Sequence, residues 1–263
     1  MTDERKDQLT AEADGLIEGR NAVIEALRTE ASIDKIFIQK GEVDKTLGHI
    51  ASKARAAGIV VVEADRRKLD GMSRTHAHQG VIALAAVREY VSVDDILADA
   101  AAKNEPPLIV VCDEISDPHN LGAIIRTAYC AGAHGVIIPK RRGVGLTSAV
   151  FKSSAGAAAH IPVARVANLA STVDELKEKG VWVYGCDMEG ETWCSVNFDG
   201  GVALIIGSEG KGMSRLLKEK CDVMVSLPML GEVTSLNASV AGGIIMYEVA
   251  RQRLGLKAVN PKG

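Results

Sequence analysis

Five short apolar runs, separated by helix-patterned stretches, dictate what the second half of this chain can fold into. They are LIVVCDEI (108–115), GVIIP (135–139), VWVYGCD (181–187), VALIIG (202–207) and DVMVSLP (222–228). A strand with one wet face alternates apolar and polar residues, whereas a strand buried on both faces is apolar nearly throughout. These runs therefore predict a parallel sheet covered on both sides by helices, the α/β class. The intervening segments supply the helices: residues 120–131, a Ser/Ala-rich stretch near 147–157, a short piece holding Leu216 and Leu217, and a long terminal helix over about 236–254.

The first half is patterned differently. Residues 1–14 are polar and charged and predict a disordered tail. GRNAVIEALR predicts a helix capped by Asn21, with Val23, Ile24 and Leu27 on one face. A strand KIFIQK comes next, then a helix over 43–57 ended by Gly58, and a buried strand IVVVEA (59–64). DRRKLDGMSRTHAHQG is polar and predicts an irregular basic loop, and VIALAAV (81–87) is a further strand. Residues 15–90 thus form a small α/β module. Residues 91–106 run through an acidic, helix-like segment to Asn104 and Pro106-Pro107 and predict a linker, which leaves 107–258 as the larger domain.

Composition excludes several classes. At 263 residues, with 47% apolar and 3% aromatic content, the core must be Val, Ile, Leu and Ala, and folding can bury roughly 70% of the chain surface without staples. Cys112, Cys130, Cys186, Cys194 and Cys221 contain no CxxC pair and lie in or beside apolar runs. That spacing argues against a zinc ribbon or a disulfide framework and for a reducing cytoplasm. The N-terminus lacks the apolar core of a signal peptide, and no stretch approaches the ~20 apolar residues of a membrane helix. His76 and His78 could share a strand face but lack partner ligands, so no metal is expected. A net charge of −3 gives no overall pull toward a polyanion, and any nucleic-acid binding must be local.

Three segments carry candidate chemistry. The strand VALII runs into GSEGKGMS, where Gly207, Gly210 and Gly212 permit a sharp turn and close approach to a ligand. The pattern is neither GxGxxG nor a phosphate-cradling loop, and Lys211 is misplaced for the latter. By itself it is equally a plain strand–helix connection with Glu209 answering the helix dipole. In DPHNLGAIIRTA (117–128), Asn120 stands where an N-cap belongs. Arg126 points away from the buried stripe of Leu121, Ile124, Ile125 and Ala128, so it is either a ligand contact at a strand end or a solvated surface charge. In SLPMLGEVTSLNASVAGG (226–243), Ser235 or Asn237 caps the last helix, and Ala238, Ser239, Ala241, Gly242 and Gly243 form a small-residue face suited to close helix packing, within or between subunits.

Together these segments resemble the three signature motifs of the SpoU (TrmH) branch of the SPOUT methyltransferases, in order and spacing, across about 150 residues: N-x-G-x-x-x-R-T with Asn120, Gly122, Arg126 and Thr127; IIGSEGKGM; and LPMLGEVTSLNASVA. GLIEGRNAVIEAL and HQGVIALA are similar to the start and end of the small RNA-binding domain of RlmB-type members. The resemblance implies a SPOUT-type parallel sheet with a C-terminal trefoil knot, an exception to the rule against threaded chains. It further implies a cytoplasmic homodimer that uses S-adenosylmethionine to methylate a ribose 2′-hydroxyl of RNA, a guanosine of 23S rRNA in the closest members. By motif position Gly207, Leu227 and Leu236, with Met229 beside them, contact the cofactor, and a side chain at 207 would intrude on it. Arg126 is the family arginine that engages the RNA phosphate, and Asn120, Glu209, Ser235 and Asn237 complete the polar shell. Arginine is always protonated, so its role is to organise phosphate and lower the pKa of the hydroxyl rather than to act as a base.

Charge supports an RNA surface. No acidic residue lies between Asp117 and Asp174, while Arg126, Lys140, Arg141, Arg142, Lys152 and Arg165 fall inside that span. Arg66, Arg67, Lys68 and Arg74 form a second basic segment, and together the two would clamp folded RNA with one nucleotide turned outward. Transfer RNA as substrate, and a non-catalytic RNA-binding assembly factor of the same fold, remain open at this level.

Overall fold

In the computed structural model, residues 15–29, 31–41 and 44–257 are described, so the tail expected over 1–14 lies outside them. The chain divides into two compact units, Met1–Glu89 with Gly145–Ser148, and Tyr90–Val144 with Ala149–Gly263. The smaller unit runs β1 (Leu16–Glu18), α1 (Arg20–Arg28), β2 (Ile33–Gln39), α2 (Lys45–Ala56), β3 (Val60–Ala64), α3 (Arg66–Met72) and β4 (Val81–Ala85). Its sheet has the order β1-β4-β2-β3, antiparallel except for the β2–β3 pair. Val23 and Leu27 of α1 and Leu47 and Ile50 of α2 close over Ile36, Val81 and Ala83.

Two expectations change here. Asn21 does not cap α1. The helix starts two residues earlier, after Gly19 at φ 90°, and the Arg20 backbone N–H donates to Gln79 Oε1 at 3.2 Å. The polar segment before β4 is not wholly irregular either, because Asp65 accepts from the Lys68 backbone N–H at 2.8 Å and starts α3. The stretch between α3 and β4 is a loop held by Glu18. That carboxylate accepts from the Ser73 hydroxyl, from the Arg74 backbone N–H at 2.8 Å and from the Thr75 hydroxyl at 2.8 Å.

The larger unit contains α4 (Val93–Ala102), β5 (Leu108–Cys112), α5 (Pro118–Cys130), β6 (Gly135–Pro139), α6 (Ser148–Ser153), β7 (Val163–Val166), α7 (Leu169–Glu178), β8 (Val181–Thr192), β9 (Gly201–Ile206), α8 (Arg215–Lys218), β10 (Val223–Ser226) and α9 (Ala238–Arg253). Its six strands are all parallel, in the order β10-β8-β9-β5-β6-β7. β7 has no counterpart among the five apolar runs, being only VARV with a half-buried arginine. The segment expected as a linker instead includes α4, started by a Ser92/Asp95 capping box. Ile96 of α4 is fully buried in the sheet core, where a Cβ on Gly135 would lie 2.5 Å from its Cδ1.

Strand order reverses at β5: the chain adds β6 and β7 on one side, then returns to place β9, β8 and β10 on the other. A crevice opens at the carboxyl ends of the strands at such a switch point, which is where open α/β sheets bind ligands. The helices over the sheet approach closely. A Cβ on Gly122 of α5 would stand 1.9 Å from Ser153 Oγ, and one on Gly242 of α9 would stand 2.3 Å from Ile206 Cδ1 of β9. Within the small-residue face of α9, Gly242 is thus spent on the chain's own strand and Gly243 on Thr127 of α5. Gly122→Ala should lower stability by about 1–3 kcal/mol through overpacking, read as a reduced denaturant midpoint, with Ser153→Gly recovering part of the loss.

Buried His134 accepts the Leu108 backbone N–H on Nδ1 at 3.1 Å and faces Glu105 through Nε2. Burial pushes its pKa down, against the pull of Glu105. The unfolded chain therefore binds this proton more readily, so the contribution is whole above the ordinary histidine value near 6.5 and is lost as pH falls below it. Denaturation midpoints should decline between about pH 6.5 and 5, with a flatter profile in His134→Gln.

Candidate active site

The glycine turn after β9 is closed by its own backbone. Ser208 and Gly212 exchange two hydrogen bonds, at 3.1 and 2.9 Å, leaving Glu209, Gly210 and Lys211 as a projecting tip. Gly210 and Gly212 have φ of 79° and 67°, a region that side chains disfavour. Gly207 is required for a different reason from the one the sequence suggested. A Cβ there would lie 2.3 Å from the Gly212 carbonyl carbon and the Met213 nitrogen, so it would collide with the turn itself. The base of the turn is pinned by Asp113, buried just past β5, whose carboxylate accepts from the Ser214 backbone N–H at 2.7 Å. The sequence signal for Asp113 was only a carboxylate ending a buried strand.

Asn237 ties three elements together. Its Oδ1 accepts from the backbone N–H groups of Ser239 and Val240 at 3.0 and 3.4 Å and so caps α9. With the oxygen committed to the cap, Nδ2 must face outward, and it donates to Asn120 Oδ1 at 2.9 Å and to Glu209 Oε1. Asn120 is 8% exposed and lies inside α5 rather than at its start. Asp117 is the cap, accepting from His119 N at 2.9 Å, and Pro118 fills the first helical position, where a missing N–H costs nothing. Asn120 is thereby turned from a capping residue into a member of the site.

A cavity of about 990 Å³ opens beside this cluster. Gly207, Leu227, Met229 and Leu236 all line it, as do Glu209, Ser235 and Asn237. Another wall comes from a register shift in β8: Met224 pairs with Gly185 and Val225 with Glu191, so residues 186–190 of the strand bulge past β10. Asp187 and Cys186 of that bulge line the cavity. Burial raises the Asp187 carboxyl, but the Lys218 ammonium and the Met188 backbone N–H more than offset this and hold it below its ordinary value. Burial pushes the Cys186 thiol to about 12, so it remains a protonated wall group. A second cavity of about 220 Å³ adjoins the first at Ser208, Glu209 and Lys211 and is lined by Asn120 and Arg142.

These motifs match known proteins over nearly the whole chain. A family model described as the SpoU rRNA Methylase family matches residues 107–247. The chain belongs to that family. A second model, RNA 2'-O ribose methyltransferase substrate binding, matches residues 16–91. The Bacillus subtilis protein YacO, named for the TrmH family of tRNA/rRNA methyltransferases, is 51% identical over 246 residues, covering 93% of this chain and 96% of its own. The SpoU methyltransferase AviRb of Streptomyces viridochromogenes, solved with AdoMet, superposes with a TM-score of 0.59 at 25% identity, covering 92% of this chain and 91% of that one. An AdoMet-bound rRNA methyltransferase from Sinorhizobium meliloti gives 0.57 at 26% identity, covering 96% and 91%.

As a SpoU methylase, the chain is an RNA methyltransferase with S-adenosylmethionine as cofactor. The larger cavity fits that molecule. Ile206, Val225, Leu227 and Ile245 offer apolar surface for an adenine, and the Asp187 and Glu209 carboxylates suit hydroxyls and a sulfonium charge. Bound there, the cofactor supplies a methyl group already activated by the sulfonium.

Arg126 is not brought to this cluster. It is exposed on α5, six residues past Asn120 and about 9 Å along the axis. It lines neither cavity, and no described residue hydrogen-bonds or ion-pairs with it. Of the basic positions, Arg66, Arg67, Arg141 and Lys152 are exposed. Lys140 is half-buried, its carbonyl accepting from Arg165 Nη2 at 3.2 Å. Arg142 is paired with Glu114 at 3.1 Å. Lys211, set aside on spacing grounds, lines both cavities. Among the described residues no three His, Cys, Asp or Glu side chains converge as metal ligands, and no helix is long and apolar enough to cross a membrane.

The Asn237 arrangement separates folding from placement. Asn237→Ala should cost about 1 kcal/mol through the lost cap. Asn237→Asp should keep the cap and melt near wild type, yet oppose the Glu209 carboxylate and reduce methyl transfer by at least about tenfold. Thermal unfolding and labelled-methyl incorporation into RNA, measured together, check both.

Proposed function

We propose that the chain transfers the methyl group of S-adenosylmethionine to a ribose 2′-hydroxyl of ribosomal RNA, a guanosine of 23S rRNA in the first place. One observation carries the reading. Because the helix cap commits Asn237 Oδ1 and Asn120 Oδ1 accepts from Asn237, the Asn120 amide N–H groups are left over on the wall of the smaller cavity, which shares Glu209 with the larger one. A hydroxyl both donates and accepts, and this pair offers one acceptor and one donor. A ribose held there presents its oxygen toward the larger cavity with its proton on Glu209. A hydroxyl is a weak nucleophile until that proton leaves, so orientation and deprotonation are what the protein must add.

The substrate-binding description matched by residues 16–91 supports ribose 2′-O chemistry, and the rRNA Methylase description supports a ribosomal target. This assigns residues 15–90 to substrate binding and the chain from 107 onward to catalysis, in the cytoplasm, with Arg66, Arg67, Lys140, Arg141 and Lys152 as phosphate contacts. Ser235, on the cavity wall, completes the polar shell. The trefoil knot belongs to the same reading: the cofactor cavity is walled by the turn at 207–212 and by residues 225–238.

The proposal includes a homodimer. Val240, Ile244 and Tyr247 recur at helical spacing on α9 and are 49%, 37% and 54% exposed, a stripe that a second copy would cover. Arg126, remote from its own chain's cavities, then serves the site of the second copy by fixing an RNA phosphate. Arg126→Ala should reduce transfer to total RNA by about a hundredfold, while calorimetry shows unchanged cofactor affinity. Retained turnover, or methyl groups mapped to bases instead of ribose, would refute the assignment.

A further inference from the structure

The smaller cavity contains a feature that methyl transfer alone does not require. Glu114 and Arg142, both on its wall, have φ of 56° and 61°, in the left-handed region where non-glycine residues are strained. They are joined by an ion pair at 3.1 Å whose arginine is 80% exposed. An exposed pair contributes little to stability, so the fold does not need it. Two strained backbones that meet in an ion pair beside a reactive cluster instead mark a site organised to bind.

The charges around the cavity say what it binds. Glu114, Asp117 and Glu209 contribute three carboxylates against the two cations Arg142 and Lys211, and Arg142 is already committed to Glu114. Such a wall repels phosphate. It suits an uncharged ligand rich in N–H donors, and the cavity volume of about 220 Å³ is on the scale of a single nucleobase. Asn120, buried on the wall of this cavity, has amide N–H groups that no described residue accepts, which leaves them for the same ligand.

We propose that this second cavity receives the flipped base of the target nucleotide, and that Glu114 selects guanine through its paired N1–H and N2–H donors. The proposal rests on the methyltransferase reading, in which the attached ribose lies between Asn120 and Glu209. A carboxylate accepts about four hydrogen bonds, so the Arg142 contact leaves both oxygens able to receive the parallel donors of guanine. Adenine and cytosine place an acceptor nitrogen beside their single amino group, and uracil flanks its one N–H with carbonyls. Each of these would set an acceptor against a carboxylate oxygen. Arg142 is the positioning residue, holding the Glu114 carboxylate at the cavity mouth.

The test uses the full chain labelled with nitrogen-15 and titrated with GMP, AMP, CMP and UMP while backbone amides are followed by NMR. GMP should shift the amides of Ile115, Ser116 and Asn120 at a concentration at least about tenfold lower than the other three. Glu114→Gln should erase that preference, and so should Glu114→Gly, which relieves the left-handed strain and guards against a folding artefact. Equal responses to all four nucleotides, or a guanine preference that survives both variants, would overturn the assignment. Calorimetry with S-adenosylmethionine and methyl incorporation into total RNA are measured alongside. Guanine selection without any RNA methylation would overturn the methyl-transfer reading and leave the base pocket standing, and the reverse result would do the opposite.

Discussion

The side-chain amide of Asn237 is the contact on which the rest of the site depends. An amide has one oxygen and one nitrogen, so satisfying a helix terminus with the oxygen decides where the nitrogen points. At Asn237 the oxygen closes the start of α9 and the nitrogen reaches both Asn120 and Glu209. That choice then fixes the Asn120 amide and orients one Glu209 oxygen. Three chain segments more than a hundred residues apart at their extremes are thereby set by a single capping interaction. The hydroxyl-binding geometry of the proposed function is a consequence of it.

The glycines around this centre answer to packing as much as to ligand. Gly207 and Gly122 sit in motif positions that suggest chemistry, yet a Cβ at either would strike neighbouring protein atoms. Gly207 lets the turn close on itself, and Gly122 lets α5 approach α6. Their contribution to a reaction is indirect: they allow the turn and α5 to come near enough for the amide network to form. Gly242 of α9 acts in the same way against Ile206 of β9.

Part of the site is legible in the chain because its signals are local. Continuous apolar runs identify five of the six parallel strands, and the motif resemblance points to Gly207, Leu227, Met229 and Leu236, which line the larger cavity. Local signals also mislead. Asn120 overshadows the Asp117-Pro118 start of α5, and the helix-like stretch that forms α4 reads as part of a linker because its packing depends on Ile96 meeting Gly135, a contact no window of sequence contains. β7 escapes notice because half-burial at the sheet edge permits VARV where a central strand would require a longer apolar run.

By itself, then, the sequence determined the α/β class, the order of most of the elements and the residues available for chemistry, since periodicity and turn residues are properties of neighbouring positions. Only the tertiary structure decided which of those residues meet. It joined Asn120, Glu209 and Asn237, set Arg126 apart, put Asp187 in a register shift of β8 on the cavity wall and faced Glu114 with Arg142 over a second cavity. Those outcomes come from strand order and close helix approach, which bring distant segments together.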